Sequence, residues 1–315
     1  MEDHVYACFG LNIRSQIALP EIQDAAEPDG RLSRAVVRLG EAAPRIGGEG
    51  GAAPRFEVSD FGVIFSVPDV AQYHVANGNE IVVTPAPGAA MRDVRLYLLG
   101  SAFGLLCHQR GLMPLHANAI VMDGEAVAFA GTSGAGKSTL AAYFQRSGQQ
   151  LLCDDICVLS FDADGRPLAW PGPPSLKLWA DAASAFGHDG DRLERVGARW
   201  DKFHVPFSRD IGSAPFPLRR LYILGKQEAE AAEFVRLRGA SAIEAIAAQT
   251  YRSPFIGPMG LRTRHLRQSI ALAKGAEVYV APREWGFDVF EREADRLLRH
   301  AALPRTGAEP VSTAP

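Results

Sequence analysis

Gly131-Thr-Ser-Gly-Ala-Gly-Lys137-Ser138 is the segment whose residue types and spacing most directly imply chemistry. It matches G-x-x-x-x-G-K-[ST] at every specified position, follows the apolar run Ala126 to Ala130 and precedes a helical pattern near Lys137 to Arg146. Glycines let a backbone curl until successive N–H groups point into one concavity, and a helix starting there adds the positive end of its dipole. Such a turn is expected to hold a nucleoside triphosphate. Gly131, Thr132, Ser133, Gly134, Ala135, Gly136, Lys137, Ser138 and Thr139 form the expected cradle. Lys137 would reach the β and γ phosphates, and the Ser138 hydroxyl suits Mg²⁺, which takes oxygen ligands in octahedral geometry. The bland alternative is a chance glycine-rich connection, and the strand, loop and helix context argues against it.

Asp154-Asp155 follows Leu151-Leu-Cys153, and Asp154 stands sixteen positions after Ser138. A helix of about ten residues and a short return turn fit that interval, so the next strand is expected beside the phosphate-loop strand, ending at the phosphates. Side chains alternate along a strand, so both carboxylates face one ligand only if the strand ends there. One can then hold magnesium while the other addresses an acceptor. Most Asp-Asp pairs are solvated loop residues; the position after the helix favours the site reading here. No Asn-Lys-x-Asp guanine-reading motif occurs, and the acids come earlier than the metal-binding acid of motor ATPases. Direct transfer to a bound hydroxyl fits better, because a carboxylate near the γ phosphate can accept its proton.

Together with His116 in Leu115-His-Ala-Asn-Ala-Ile-Val and the segment Pro174-Ser-Leu-Lys-Leu-Trp179, these motifs resemble the catalytic domain of the HPr kinase/phosphorylase family. The likeness is closer to its HPr-kinase-like serine kinases found beside peptide-maturation genes. It covers Leu115 to Trp179 well and the rest only by order of elements. The resemblance implies an α/β fold, a P-loop kinase domain of HPr kinase type with a mixed sheet under helical cover. It also implies ATP and Mg²⁺ as cofactors, Asp154 as general base toward a serine hydroxyl, Asp155 with Ser138 as magnesium holders, and His116 close to the base. A packed strand histidine is the plainer reading of His116. The Leu-Glu-Ile-Arg-Gly signature of the regulator enzymes is absent, and residues 1 to 110 do not look like their N-terminal domain. The expected acceptor is therefore a serine or threonine of a peptide or protein, such as a lasso-peptide precursor, rather than HPr. A small-molecule hydroxyl kinase and a nucleotide-gated binding protein without transfer are the alternatives.

Two cationic groups stand outside these motifs. Trp200-Asp-Lys202-Phe-His204-Val-Pro, with Ser208-Arg209 beyond, reads as a loop in which Lys202 or Arg209 could stabilise charge on the transferred phosphoryl group. A plain solvated charge is the competing reading. Arg262, Arg264, His265 and Arg267 crowd a predicted helix start. They could recognise an acidic peptide, although spacing that spreads them around the helix favours a solvated face.

The elements that must position these groups fall into three stretches. Up to about residue 88 short β-prone runs dominate: Val5 to Phe9, Ala35 to Leu39, Arg55 to Val58, Val63 to Val67 and Glu80 to Thr84. Asn77-Gly78-Asn79 reads as a hairpin turn and Gly40 to Pro54 as a surface loop. Met91 to Arg110 has helical spacing stopped by Gly111. This gives a smaller β-rich N-terminal domain over 1–110, a catalytic domain over 111–304, and a disordered tail over 305–315. In the second domain, strands are expected at Gln150 to Cys153, Ile156 to Phe161, Leu176 to Trp179, Leu221 to Leu224, Glu233 to Leu237 and Val278 to Ala281. Helices are expected at Ala240 to Tyr251, Gly260 to Lys274 and Phe287 to Ala302, and Asp164-Gly165 suggests a hairpin.

Composition sets the outer bounds. The 315 residues are 47% hydrophobic with a formal net charge of -3, enough for a sizeable core and without the basic stripe that a nucleic-acid partner requires. The start has neither a basic n-region nor an apolar h-region, and the run Leu96 to Cys107 falls short of the roughly 20 residues a membrane span needs. No membrane partner and a cytoplasmic location are expected. Cys8, Cys107, Cys153 and Cys157 show no zinc or disulfide spacing. The pattern is compatible with a homo-oligomer without specifying one.

Overall fold

The computed structural model describes residues 3–22, 30, 32–41, 54–197, 200–207, 210–227, 233–284 and 286–305. Most of the expected loop Gly40 to Pro54, the pair Ser208-Arg209 and the expected tail from residue 306 lie outside them.

Seven strands build the first sheet: β1 (His4–Cys8), β2 (Leu11–Ser15), β3 (Ser33–Leu39), β4 (Arg55–Ser59), β5 (Gly62–Val67), β6 (Ala71–Ala76) and β7 (Glu80–Pro85), in the order β1-β2-β3-β7-β6-β5-β4. β2 was not expected. Its alternation is obscured because Asn12 is buried along with Leu11 and Ile13, its Nδ2 donating to the Leu32 carbonyl at 3.1 Å. Asn77 and Gly78 take φ of 54° and 64°, the left-handed pair that a tight β6–β7 hairpin needs.

α1 (Met91–Tyr97) and α2 (Phe103–Arg110) fill the expected helical stretch, but a π turn at Leu98–Ala102 joins them. Val94, Leu98, Ala102 and Leu105 are all fully buried, as their spacing requires. Next to the π turn, Gly104 lies so close to Tyr251 that a Cβ there would meet the ring at 2.8 Å, so the glycine permits the approach. Gly111 at φ 81° ends α2, the left-handed cap that glycine supplies most easily.

The strands that follow are β8 (Met113–Leu115), β9 (Ala117–Met122), β10 (Glu125–Ala130), β11 (Gln150–Cys153), β12 (Cys157–Phe161), β13 (Pro167–Trp170), β14 (Ser175–Trp179), β15 (Arg195–Gly197), β16 (Trp200–Pro206), β17 (Phe216–Gln227), β18 (Val235–Leu237) and β19 (Glu277–Glu284). The helices are α3 (Lys137–Arg146), α4 (Ala180–Ala185), α5 (Gly239–Ala248), α6 (Arg262–Gly275) and α7 (Phe287–Ala302). β14, β16 and β15 form a separate antiparallel sheet; the remainder form one nine-stranded mixed sheet. β17, longer than the expected Leu221 to Leu224, organises that sheet: it is parallel to β10 on one edge, while the other edge pairs first with β13 and then with β19.

Two expectations need correction. β11 does not lie beside the phosphate-loop strand β10, because β9 intervenes and pairs antiparallel with both. β10 and β11 therefore still run the same way and end at the same edge. The Trp200 to Pro206 segment is a strand and not a loop, because Val205 and Phe203 alternate into the core while Lys202 and His204 face the other side.

The first core cluster, under the N-terminal sheet, includes Ile156 and Val158 of the later segment, and the Phe9 N–H donates to the Pro171 carbonyl at 2.9 Å. No helix among the described residues is long and apolar enough to cross a membrane.

Arg220 on β17 is the largest fully buried side chain. Its Nε donates to Glu277 at 2.7 Å, and its guanidinium reaches the carbonyls of His300, Ala301 and Pro304 at 2.8, 2.8 and 2.9 Å. One cation thus satisfies the free carbonyls at the end of α7 and neutralises Glu277. Arg220→Met should destabilise the protein by about 3 kcal/mol, read as a lowered denaturant midpoint with an unchanged m-value.

Candidate functional site

β10 ends at Ala130, and the chain turns through Gly131–Gly136 into α3. Gly134 and Gly136 adopt φ of 83° and 73°, which a side chain would oppose. Gly131 packs against Leu224 on β17, where a Cβ would come within 3.3 Å of the Leu224 carbonyl. The turn is held from three sides. The Lys137 ammonium donates to the Gly131 and Thr132 carbonyls at 2.8 and 3.1 Å, Asn118 on β9 donates to the Lys137 carbonyl, and Arg283 on β19 donates to the Ala135 carbonyl. Burial pulls Lys137 down to about 8 against the opposing pull of Asp155 and Asp154.

β11 stops at Cys153, and Asp155 takes φ 69°, a left-handed conformation uncommon outside glycine. That turn separates the two carboxylates. Asp154 is buried against α3, its Oδ1 accepting from the Ser138 hydroxyl at 3.1 Å and its Oδ2 from the Lys177 N–H at 2.9 Å. Asp155 turns toward the cleft instead, its side chain 27% exposed, and its Oδ2 accepts from the Lys177 ammonium at 2.9 Å. The hydroxyl partner of Ser138 is therefore Asp154 and not Asp155, which was expected to share magnesium with it, because the strand ends one residue before the acids and the chain reverses at the second.

Electrostatics separate the pair further. Burial, then the neighbouring Asp155 charge, raises Asp154 to about 6. Burial pushes Asp155 up as well, but the Lys177 ammonium, with His116 and Lys202, more than offsets it and holds that carboxyl well below its usual range.

His116, between β8 and β9, contacts Asp155 twice, with Nδ1 at 3.0 Å from the Asp155 carbonyl and 3.4 Å from its carboxylate. A carbonyl can only accept, so Nδ1 carries the hydrogen. Burial lowers the ring's affinity for a second proton, which favours the neutral ring with Nε2 as an acceptor.

The cleft, about 380 Å³, is lined by His116, Lys137, Ser138, Thr139, Asp155 and Lys202. Trp179, Ala182, Phe290, Arg283 and Glu293 line it as well. The Lys202 ammonium sits 4.6 Å from the centre of the Trp179 ring, its cross-strand partner, so it is a cleft residue and not a solvated loop charge. The sequence reading passed over Lys177, Trp179, Asn118, Arg283 and Phe290. A signal for the first two was present: Leu176 and Leu178 alternate into the core, so Lys177 and Trp179 must share the opposite face.

No protein-family model matches the chain, and no curated protein matches it. Among solved structures it is similar to the Hpr(Ser) kinase/phosphatase from Coxiella burnetii, at 12% identity, over 60% of this chain and 89% of that one, with a TM-score of 0.32. A likeness at that score carries no argument about fold or activity.

Asp154 holds its proton more tightly folded than unfolded, so its ionisation costs stability as pH rises from 3.8 to about 6. Asp154→Asn keeps both hydrogen-bond positions without the charge. It should stabilise the protein by about 1–2 kcal/mol at pH 8 and by little at pH 4, measured as the difference in Tm between the two pH values.

Proposed function

We propose that this chain is an ATP- and Mg²⁺-dependent kinase that transfers the γ-phosphoryl group to a serine or threonine hydroxyl of a peptide or protein. The observation that carries this reading is the convergence on one cleft of the glycine-rich turn with its Lys137 ammonium and of an ionised Asp155 oriented by Lys177 and His116.

Among the described residues, no three of His, Cys, Asp and Glu cluster as a metal cage. The Ser138 hydroxyl and the Asp154 carboxylate, 3.1 Å apart at the start of α3, are an oxygen donor set that suits an ion held mainly by phosphate oxygens and water. Magnesium bound there with the triphosphate supplies neutralisation of phosphate charge. These two residues would hold it, which leaves Asp155 for the acceptor and reverses the roles expected for the pair.

The remaining chemistry belongs to the protein's own groups. Backbone N–H groups of the turn and the α3 start bind the phosphates, and Lys137 exchanges its carbonyl partners for phosphate oxygens. Trp179 and Phe290, which line the same cleft, offer flat apolar surface for a base. Asp155 accepts the acceptor's hydroxyl proton as the new O–P bond forms and the bond from the γ phosphorus to the bridging oxygen breaks, its electron pair leaving with ADP. Lys202 and Lys137 balance the charge on the moving group.

Phosphate transfer from labelled ATP to serine peptides, with free serine as the comparison acceptor, tests this reading. Asp155→Asn should lower kcat by about 100-fold or more while nucleotide affinity holds, and Asp154→Asn should raise the magnesium concentration needed for half-maximal rate. Wild-type transfer by Asp155→Asn would sink the base assignment, and wild-type nucleotide affinity in Lys137→Met would sink the nucleotide site.

A further inference from the structure

A second cleft, about 270 Å³, opens on the other side of His116. One wall is His116 with Gly131 and Thr132 of the turn; the other is the segment 249–255 that follows α5. Gly131 and Thr132 are the residues whose carbonyls hold the Lys137 ammonium, and that ammonium marks the β,γ end of a triphosphate in such a turn. The second cleft therefore adjoins the β,γ end of a triphosphate held in the turn, the end from which a phosphoryl group is transferred.

The segment 249–255 is fixed rather than loosely draped. The His116 N–H donates to the Gln249 carbonyl at 2.8 Å, the Tyr251 N–H donates to the Pro114 carbonyl at 2.9 Å, and Thr250 bridges to Leu115. The Thr250 hydroxyl also meets His265 Nε2 of α6 at 2.8 Å, which ties the start of that helix to the cleft wall.

The stretch of chain that follows this wall has one sign of charge. Between Gln249 and Ala276 the chain carries Arg252, Arg262, Arg264, Arg267 and Lys274 and no Asp or Glu. Arg262, Arg264 and Arg267 are exposed, and among the described residues none of them forms an ion pair. Arg262 lies against Gly257, two residues past the cleft wall, where a Cβ would come within 3.0 Å of its guanidinium. Exposed arginines with no carboxylate partner among the described residues can bind one in a partner, and bidentate geometry gives such contacts direction.

We propose that the second cleft is the acceptor site and that it takes an acidic stretch of a peptide or protein, its hydroxyl passing His116, which lines both clefts, to reach Asp155 while its flanking carboxylates meet Arg262 and Arg264. The inference rests on the kinase reading and adds to it the charge of the substrate and the surface that reads it.

The test uses the full chain, ATP and Mg²⁺ with a library of short peptides holding one fixed serine among randomised neighbours. Phosphorylated products should be enriched in Asp and Glu around that serine. The double variant Arg262→Glu/Arg264→Glu should raise KM for an acidic-flanked peptide by roughly tenfold, leave nucleotide affinity unmoved, and shift the selection toward Lys and Arg. Salt at about 0.5 M should weaken the wild-type preference, because the contacts are exposed. Ser253→Trp, which fills the exposed mouth of the cleft, should raise KM for every peptide, with an unchanged Tm and nucleotide affinity as the check on folding. Serine phosphorylation without flank selectivity, or an acidic preference that survives the double reversal, would overturn the acceptor assignment and leave the kinase reading standing. Transfer to no peptide at all, with nucleotide still bound, would overturn both.

Discussion

The bridge that Lys177 makes between two adjacent carboxylates is the interaction on which the rest of the site depends. Side by side at the end of a strand, Asp154 and Asp155 repel each other, and burial penalises the charge of both. Lys177 answers with two different donors: its backbone N–H fixes Asp154, and its ammonium fixes Asp155. The result is an asymmetric pair, one carboxyl raised toward neutrality beside the Ser138 hydroxyl and the other held ionised in the cleft. Two identical residue types acquire two environments, the usual route by which neighbouring acids take different chemical roles.

Lys177 can do this only because three separate parts of the chain meet there. β14 belongs to the small sheet, β11 to the large one, and His116 to the crossing from β8 to β9. The left-handed turn at Asp155 is what lets the second carboxylate leave the direction of the first. It is a local cost, of the kind that persists when surrounding contacts over-determine the conformation. Here they do, since both oxygens and the carbonyl of Asp155 have partners.

Stability and chemistry are divided between regions. The paired carboxylates and the pulled-down ammonium of Lys137 make the cleft electrostatically costly. The ends of β17, β19 and α7 are instead knotted by Arg220, whose four hydrogen bonds leave little unsatisfied. β17 connects the two regions, carrying Arg220 and packing Leu224 against the first residue of the turn. A scaffold of that kind can hold like charges close without yielding.

The glycine-rich turn was legible in the sequence because its chemistry is local: the glycines, Lys137 and Ser138 are consecutive, and the flanking period changes from strand to helix. The strand ending at Asp154-Asp155, the β6–β7 hairpin and the helix of Phe287–Ala302 were legible for the same reason, each signalled within a few residues. β2, with its buried Asn12, and the strand carrying Lys202 were not, since their burial is decided by distant partners. The roles of the two acids were also beyond reach. Which carboxylate meets Ser138 depends on a single backbone torsion at Asp155 and on a lysine 22 residues away in sequence. The sequence by itself determined where a glycine-rich turn of phosphate-binding type joins a strand to a helix. Only the tertiary structure decided which acid meets Ser138 and which is held ionised in the cleft, because a charge takes its character from neighbours that the chain brings together through packing, not through order.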